Sequence, residues 1–141
     1  MNEYTVTLMS DEELPEIMSL SEKFGHVDHF ATIVQTAFVY VLKKDNKPIG
    51  LSSLLRSKRH WSFYIFNVDI LEEYCDEDVY SFFVKQVLDY AYKENGYHVT
   101  AVVHSLDNKI YGKALEACGM IKESETSDYK VYNLFRPINS L

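Results

Sequence analysis

The sequence predicts a mixed α/β fold in which one central sheet of six or seven strands, mostly antiparallel, carries helices on both faces. Strand-like and helix-like segments alternate from residue 4 to residue 135 without a linker or a repeat. A long amphipathic segment separates two apolar runs, and such a crossover makes the two strands parallel neighbours. The chain has 141 residues, 47% hydrophobic and 14% aromatic, which suffices for the core of a single domain over residues 1–141.

The amino-terminal part is expected to form one strand and two helices. "YTVTLM" (4–9) alternates apolar and polar residues, as half-buried strands do. "SDEELPEIMSLSEKF" begins with Ser10 and Glu13, which have the spacing of a capping box, and it carries Pro15 in its first turn. This helix should end near Gly25, and "VDHFATIVQ" (27–35) predicts a second, short helix.

Three runs of β-branched and aromatic residues then predict an antiparallel meander: "AFVYVLKK" (37–44), "KPIGLSSLLRS" (47–57) and "WSFYIFNVDI" (61–70). The polar segment "KKDNKP" between the first two runs has the composition of a turn. We therefore expect the first pair of strands to be joined by a tight hairpin.

The carboxy-terminal half alternates between helix and strand patterns. Apolar residues recur at helical spacing between Asp78 and Asn95, and Gly96 stands where a helix-ending glycine is common. The remaining segments are the strand "YHVTAVVH" (97–104), the helix "DNKIYGKALEAC" (107–118), closed by Gly119, and the strand "YKVYNLF" (129–135).

Composition excludes several classes of partner. The net charge of −7 and the pI near 5.2 argue against nucleic acid, because phosphate contacts need clustered Lys and Arg. The basic cluster "RSKRH" (56–60) is interpreted as a solvated turn. Cys75 and Cys118 have no metal-ligand spacing and no secretory segment before them, so reduced thiols in a cytoplasm are expected. No apolar run approaches the roughly 20 residues of a membrane span, so no membrane is expected either.

The order of elements and one long motif resemble the GNAT superfamily of N-acetyltransferases over residues 4–136. "VLDYAYKENGYHVTAVVHSLDNKIYGKALEACGMIKES" is similar to the family pattern of a long helix ending in A-x-x-x-x-G, a strand, and then D-N-x-x-A-x-x-L-Y-E-K-x-G-F. Asn108, Glu116 and Gly119 match this pattern, and Met120 stands at its aromatic position.

The resemblance implies transfer of an acetyl group from acetyl-CoA to an amine. It also implies that the two parallel strands splay apart and that the pantetheine arm of the cofactor lies between them. The backbone of Val68, Asp69 and Ile70 would then bind the pantetheine, together with Asn108. The pyrophosphate would lie at the N-terminus of the next helix, where free N–H groups and the helix dipole favour an anion.

The implied phosphate loop departs from the family pattern. The family has R/Q-x-x-G-x-G/A, and those six positions fall here on "CDEDVY" (75–80). The diagnostic positions hold Cys75, Asp78 and Tyr80, and Asp76 adds a further carboxylate. Two unit charges about 4 Å apart repel by about 1 kcal/mol in water and about 4 kcal/mol at an effective dielectric constant of about 20, and Tyr80 adds bulk where the backbone must approach phosphate. We therefore expect weak or absent binding of acetyl-CoA or CoA.

The acidic run "EEYCDED" (72–78) has three interpretations. In the simplest, Asp76, Glu77 and Asp78 cap the free N–H groups of a solvated helix start and complement its dipole. In the second, the run binds a cationic ligand or a basic partner surface. In the third, the carboxylates hold a metal ion, although no known loop spacing is present and no metal is expected as a cofactor.

Two residues are candidates for a catalytic role. The resemblance implies a tyrosine, acting as general acid to the departing thiolate, at the position of Leu115; Tyr111 lies one turn earlier on the same helix face. His104 ends its strand where a base or a pantetheine contact would stand. Packing or a structural role is the alternative for both.

Other residues with ligand chemistry have simpler interpretations. His26, Asp28 and His29 share one short turn, where loop hydrogen bonding is the alternative to a metal. His98, at the start of its strand, is a weaker candidate than His104. A Cys75 thiolate among carboxylates would be disfavoured, which argues against a reactive nucleophile.

Two classes of function stay open. One is a non-catalytic binding or regulatory module that keeps the fold. The other is an atypical N-acetyltransferase that acts on an amine of a small molecule or a protein. We expect the cleft to be narrowed by aromatic rings, Tyr80 among them, and the helix start to hold no phosphate. Self-association as a homodimer also stays open.

Overall fold

The computed structural model describes residues 3–25, 37–58, 61–94, 96–104 and 109–135. These residues form one seven-stranded sheet in the order β1-β2-β3-β4-β5-β7-β6. Its strands are β1 (Tyr4–Leu8), β2 (Ala37–Lys44), β3 (Lys47–Arg56), β4 (Ser62–Ile70), β5 (His98–His104), β6 (Ile121–Glu125) and β7 (Tyr129–Phe135). The one parallel pair is β4 with β5, so the predicted mixed, mostly antiparallel sheet is confirmed.

In the part of the chain that the structure describes, three α-helices accompany the sheet: α1 (Leu14–Lys23), α2 (Glu77–Lys93) and α3 (Lys109–Ala117). Before α1, the Glu13 carboxylate accepts a hydrogen bond from the Ser10 N–H at 3.0 Å, as the predicted capping box requires. Gly25, with φ of +78°, follows α1 as expected. The helix predicted at 27–35 lies outside the described residues. None of the described helices is long and apolar enough to cross a membrane.

The turn between β2 and β3 confirms the hairpin predicted from "KKDNKP". Asp45 and Asn46 have φ of 50° and 68°. Two successive positive φ values characterise the type I′ turn, whose twist matches that of an antiparallel pair, and Asp and Asn tolerate this conformation better than most residues. The turn places Lys44 opposite Lys47 and so fixes the register.

The parallel strands β4 and β5 separate soon after they begin. They pair only from Ser62↔His98 to Ile65↔Ala101. The register of β4 against β3 then shifts, which leaves Phe66 as an extra residue in a β-bulge. A bulge bends the strand and increases its twist. Residues 66–70 of β4 do not pair with β5, so the predicted splayed pair is confirmed.

Each face of the sheet has its own core. The core on the α1 face comprises Ile17, Leu20, Val39, Val41 and Leu51. On the other face, α2 and α3 cover a larger cluster that includes Tyr40 and Leu42. Val39 and Val41 therefore face one layer and Tyr40 and Leu42 the other, as the two-residue period of a strand requires. Helices on both faces are confirmed.

The sequence patterns do not predict β6. Its sequence, "IKESE", has one apolar residue, and all five residues are exposed. The strand forms at the edge of the sheet by pairing with β7. Glu125 forms ion pairs with Lys122 at 3.2 Å and with Lys130 at 3.7 Å. The ion pair with Lys130 links β6 to β7.

Gly96 does not have the left-handed conformation of a helix-ending glycine, unlike Gly119, whose φ is +93°. A Cβ at position 96 would lie 2.7 Å from Cδ2 of Phe63 and 2.8 Å from the carbonyl oxygen of Ala91. The Gly96 N–H donates to that same carbonyl at 2.8 Å. Glycine is needed here because the end of α2 passes close to β4.

Arg56 is not part of a solvated turn, so that interpretation of "RSKRH" is wrong for this residue. Its guanidinium donates to the side chain and the carbonyl of Glu94, both at 3.3 Å. It also lies 4.8 Å from the ring centroid of Phe63. Arg56 thus ties the end of β3 to the end of α2. Residues 59–60 lie outside the described ranges.

Candidate functional site

The first turn of α2 is capped by the chain's own carboxylate. Asp76 has extended backbone angles, and its Oδ1 accepts a hydrogen bond from the Val79 N–H at 2.9 Å. Glu77 and Asp78 add two more acidic side chains to the first turn. The side chain of Asp76 therefore occupies the position where a helix N-terminus binds an anionic ligand.

Tyr80 is buried rather than exposed at the helix start. Its side chain is 2% exposed, and its hydroxyl is hydrogen-bonded to the Cys75 thiol. The thiol in turn donates to the carbonyl oxygen of Ile70 at 3.1 Å. Two of the three diagnostic positions of the implied loop, Cys75 and Tyr80, are thus joined to each other and to the end of β4.

The environment of Cys75 disfavours its thiolate. Burial raises the pKa of the Cys75 thiol, and the carboxylates of Glu72, Asp69 and Asp76 raise it further. The hydrogen bond from Tyr80 opposes these effects without reversing them. A thiol with a raised pKa is a poor nucleophile at neutral pH.

The ring of Tyr80 lies beside Tyr111 of α3. Their ring centroids are 6.3 Å apart at an interplanar angle of 35°, and Tyr111 is 5% exposed. Both belong to the core cluster that contains Val68 of β4 and Val103 of β5, the strands that have separated at this level. The structure therefore brings Tyr111 together with Tyr80, a position of the phosphate loop that the resemblance implies.

The β4 segment implied to bind pantetheine has two different faces. Val68 and Ile70 are each 5% exposed and pack in the larger core. Asp69 projects to the opposite face, where its carboxylate accepts a hydrogen bond from Asn67 Nδ2 at 2.7 Å. The backbone N–H of Ser53 donates to Asn67 Oδ1 at 3.2 Å. The sequence analysis does not predict the hydrogen bond between Asn67 and Asp69. Their i, i+2 spacing in a strand, which places both side chains on one face, is the signal that could have indicated it.

His104 lies apart from Tyr111. It is exposed at the end of β5 and lines a cavity of about 450 Å³ between α3 and the β6–β7 hairpin, whereas Tyr111 is not among the residues that line this cavity. Asn108, His26, Asp28 and His29 lie outside the described residues. In the described ranges no three His, Cys, Asp or Glu side chains are grouped so as to hold a metal ion.

The architecture matches solved structures of acetyltransferases. The ribosomal-protein-S5-alanine acetyltransferase of Vibrio fischeri has a TM-score of 0.80 at 17% identity, over 98% of this chain and 96% of that one. Spermidine N-acetyltransferase of Vibrio cholerae, in complex with CoA and spermine, has a TM-score of 0.73 at 16% identity, over 96% and 97%, and another structure of that enzyme is a dodecamer. The IAA acetyltransferase of Bacillus cereus has a TM-score of 0.77 at 15% identity, over 94% and 99%.

Sequence comparison adds nothing to these structural likenesses. No protein-family model and no curated protein matches the chain. At identities of 15–17% the structural likeness establishes the fold alone.

Proposed function

Because the chain has the fold of the GNAT N-acetyltransferases, we propose that it is a GNAT-fold protein in which the use of acetyl-CoA is weak or lost and which acts as a binding or regulatory module. The observation that carries this proposal is the self-capped start of α2, where Asp76 accepts the Val79 N–H at 2.9 Å. A pyrophosphate at this position would have to displace that carboxylate. It would also face Glu77 and Asp78.

The size of the electrostatic repulsion supports weak binding of CoA. Each carboxylate about 4 Å from the pyrophosphate costs about 1 kcal/mol in water and about 4 kcal/mol at an effective dielectric constant of about 20. A ligand with micromolar affinity has only about 8 kcal/mol of binding free energy. Two or three such repulsions cost about 2–12 kcal/mol in total, and a loss of about 4 kcal/mol already moves a micromolar affinity into the millimolar range. The proposal also places the ring of Tyr80, which is buried beside Tyr111, in the space between the splayed strands.

An active N-acetyltransferase is the second candidate. The separation of β4 and β5 after Ile65↔Ala101 favours it, since this is the geometry that a pantetheine arm requires. In that case Val68, Asp69, Ile70 and Asn108 would bind the cofactor, and Tyr111 or His104 would be the catalytic acid or base. The acceptor would be an amine of a small molecule or of a protein. Self-association remains a proposal, supported by the dodecamer of the Vibrio cholerae enzyme.

Calorimetric titration with acetyl-CoA tests the proposal. We expect a dissociation constant above about 100 μM, and a value at or below about 10 μM would overturn the proposal. The variant Cys75→Arg, Asp76→Gly, Asp78→Gly, Tyr80→Gly rebuilds the family loop and should gain affinity, but loss of the buried Tyr80 ring also endangers its folding.

A milder variant separates the effect of the negative charges on binding from the effect of the Tyr80 ring on folding. Asp76→Asn, Glu77→Gln, Asp78→Asn keeps a capping side chain and the Tyr80 ring while removing three negative charges. We expect at least a tenfold gain in acetyl-CoA affinity. The control neutralises three exposed glutamates near α1, with the substitutions E12Q, E16Q and E22Q, and should change affinity much less. Equal effects of the two variants would show that local repulsion is not the cause.

A further inference from the structure

A chain of hydrogen-bonded side chains crosses the sheet on the face opposite to α2 and α3. Ser62 and His98, the first residues of the parallel strands β4 and β5, are paired in the register. Val99 packs in the core under α2 and α3, so its neighbour His98 projects to the other face. Ser62 Oγ is 3.0 Å from His98 Nδ1, and His98 Nε2 is 2.6 Å from Oδ1 of Asn133 on β7. Serine, histidine and amide thus stand in the order in which a histidine base activates a hydroxyl nucleophile.

The partners of Asn133 determine which nitrogen of His98 carries a proton. Asn133 Nδ2 donates to the Glu123 carboxylate, which only accepts, so Oδ1 is the atom of Asn133 that faces His98. The Thr100 hydroxyl also donates to that oxygen, at 2.6 Å, and lies 3.1 Å from His98 Nε2. Since neither neighbour has a proton to give, Nε2 itself is protonated. Nδ1 of the neutral ring is therefore unprotonated and accepts the hydrogen bond from the Ser62 hydroxyl.

Two aromatic rings flank the histidine and stay in contact with solvent. The Phe135 ring stacks on His98, with centroids 4.4 Å apart and an interplanar angle of 12°, and the Trp61 ring lies 6.5 Å away. Phe135 is 64% exposed and Trp61 is 38% exposed. Ser62 and His98 are themselves half-buried. A molecule that reaches Ser62 would therefore meet apolar rings, which favour an aryl or other apolar group beside the reacting atoms.

We infer that Ser62 is a nucleophile that takes the acyl group of an apolar ester, with His98 as its general base and Asn133 as a positioning residue. Ser62 Oγ attacks the carbonyl carbon of the ester while its proton passes to His98 Nδ1. The C–O bond to the leaving alcohol then breaks, and the alcohol takes that proton from Nδ1. Attack by water through the same base releases the carboxylic acid and restores Ser62. This activity goes beyond the proposed function, because it uses neither the start of α2 nor CoA.

The ester p-nitrophenyl acetate is the probe, because it joins an acetyl group to an aryl leaving group whose release is followed by absorbance. We expect a burst of about one equivalent of p-nitrophenolate per chain. Mass spectrometry of protein quenched with acid during the burst should place an acetyl group on Ser62. The wild-type protein is used, so the result does not depend on the folding of a variant. Acetylation of other residues without Ser62 would overturn the inference.

Variants test whether Ser62 and His98 act together. Ser62→Ala should slow the release of p-nitrophenolate at least about tenfold, since general-base catalysis contributes about 10²–10⁴-fold. Ser124→Ala removes an exposed serine of β6 and should leave the rate unchanged. His98→Gln should be as slow as Ser62→Ala, and the double variant no slower than either, because residues that act as a unit are not additive. A folded Ser62→Ala variant that reacts at the wild-type rate would show that this hydroxyl is not the nucleophile.

The protonation of the two ring nitrogens tests the role of Asn133. Nitrogen NMR spectra at mildly alkaline pH should show His98 protonated at Nε2 and unprotonated at Nδ1, with the signals assigned by their loss in His98→Gln. Asn133→Leu removes the acceptor, so it should give a mixture of the two tautomers and slow the acylation of Ser62 about tenfold. A wild-type ring protonated at Nδ1 would exclude the hydrogen bond from Ser62 and overturn the mechanism.

Discussion

At the scale of single residues, Glu13 is a carboxylate with two structural tasks. Its Oε2 lies 2.7 Å from Lys43 Nζ of β2, and its Oε1 accepts the Ser10 N–H at 3.0 Å. The hydrogen bond from Lys43 lowers the pKa of Glu13 below its usual 4.5, and the backbone bond from Ser10 lowers it further. One side chain therefore caps the start of the first helical segment and ties it to the sheet.

We predict a pH-dependent loss of stability for Glu13→Gln. Because the folded pKa is depressed, the ionised carboxylate stabilises the fold above its unfolded pKa of 4.5, and this contribution is lost as the pH falls through the lower folded value. Urea unfolding should show the variant about 0.5–1 kcal/mol less stable at pH 7. The difference should shrink below pH 4.5. A difference that stays constant down to pH 3 would mean that the charge is not responsible.

The loop from Cys75 to Tyr80 shows how far single residues could be anticipated. Carboxylates before a helix predict capping, and Asp76 does cap α2, because a cap is a local interaction between residues three apart. The bond between Cys75 and Tyr80 was beyond sequence reasoning. It depends on how the loop folds back onto β4, and that is decided by packing rather than by neighbouring residues.

At the scale of elements, the N-terminus of α2 is stabilised by one identifiable hydrogen bond. Asp76→Ala removes the acceptor of the Val79 N–H, and we predict a loss of about 1 kcal/mol in the free energy of unfolding. Asp76→Asn keeps an acceptor and should lose only a few tenths of that amount. Chemical denaturation of both variants measures the difference. Equal losses would show that the negative charge matters and the cap does not.

Elements with an internal pattern were predictable and β6 was not. Strands β2 and β4 contain buried apolar residues that identify them in the sequence. Strand β6 buries none of its residues and exists because β7 offers it an edge. The position of β6 follows from the pairing of Ile121 with Asn133. Because these two residues are not neighbours in the sequence, a pattern of adjacent residues cannot reveal the pairing.

At the scale of the whole molecule, Gly96 and Gly112 differ in how much space surrounds them. Gly96 allows α2 to end against β4, where a Cβ would meet Phe63 at 2.7 Å and the Ala91 carbonyl at 2.8 Å. Gly112 lies inside α3, where a Cβ would meet only Tyr132, at an ordinary contact distance of 3.5 Å. Gly96 is therefore required by the crossover between the parallel strands. No packing constraint requires a glycine at position 112.

The two glycines therefore predict opposite changes in stability. Gly96→Ala should destabilise the protein by about 1–3 kcal/mol, because a backbone carbonyl cannot move aside as a side chain can. Gly112→Ala should stabilise it by about 0.5–1 kcal/mol through the higher helix propensity of alanine. Thermal unfolding of both variants gives the comparison, and the two results must differ in sign for this account of the crossover to hold.

The buried ring of Tyr80 limits which sequences can be reached from this one by single substitutions. Its truncation to glycine removes a core aromatic side chain, a loss of about 3–5 kcal/mol from a total stability of about 5–15 kcal/mol. Introducing glycines into this loop one substitution at a time would therefore pass through poorly folded intermediates. A lineage that places an aromatic side chain in this position cannot easily reverse the step, and its later adaptation is directed to other surfaces of the same fold.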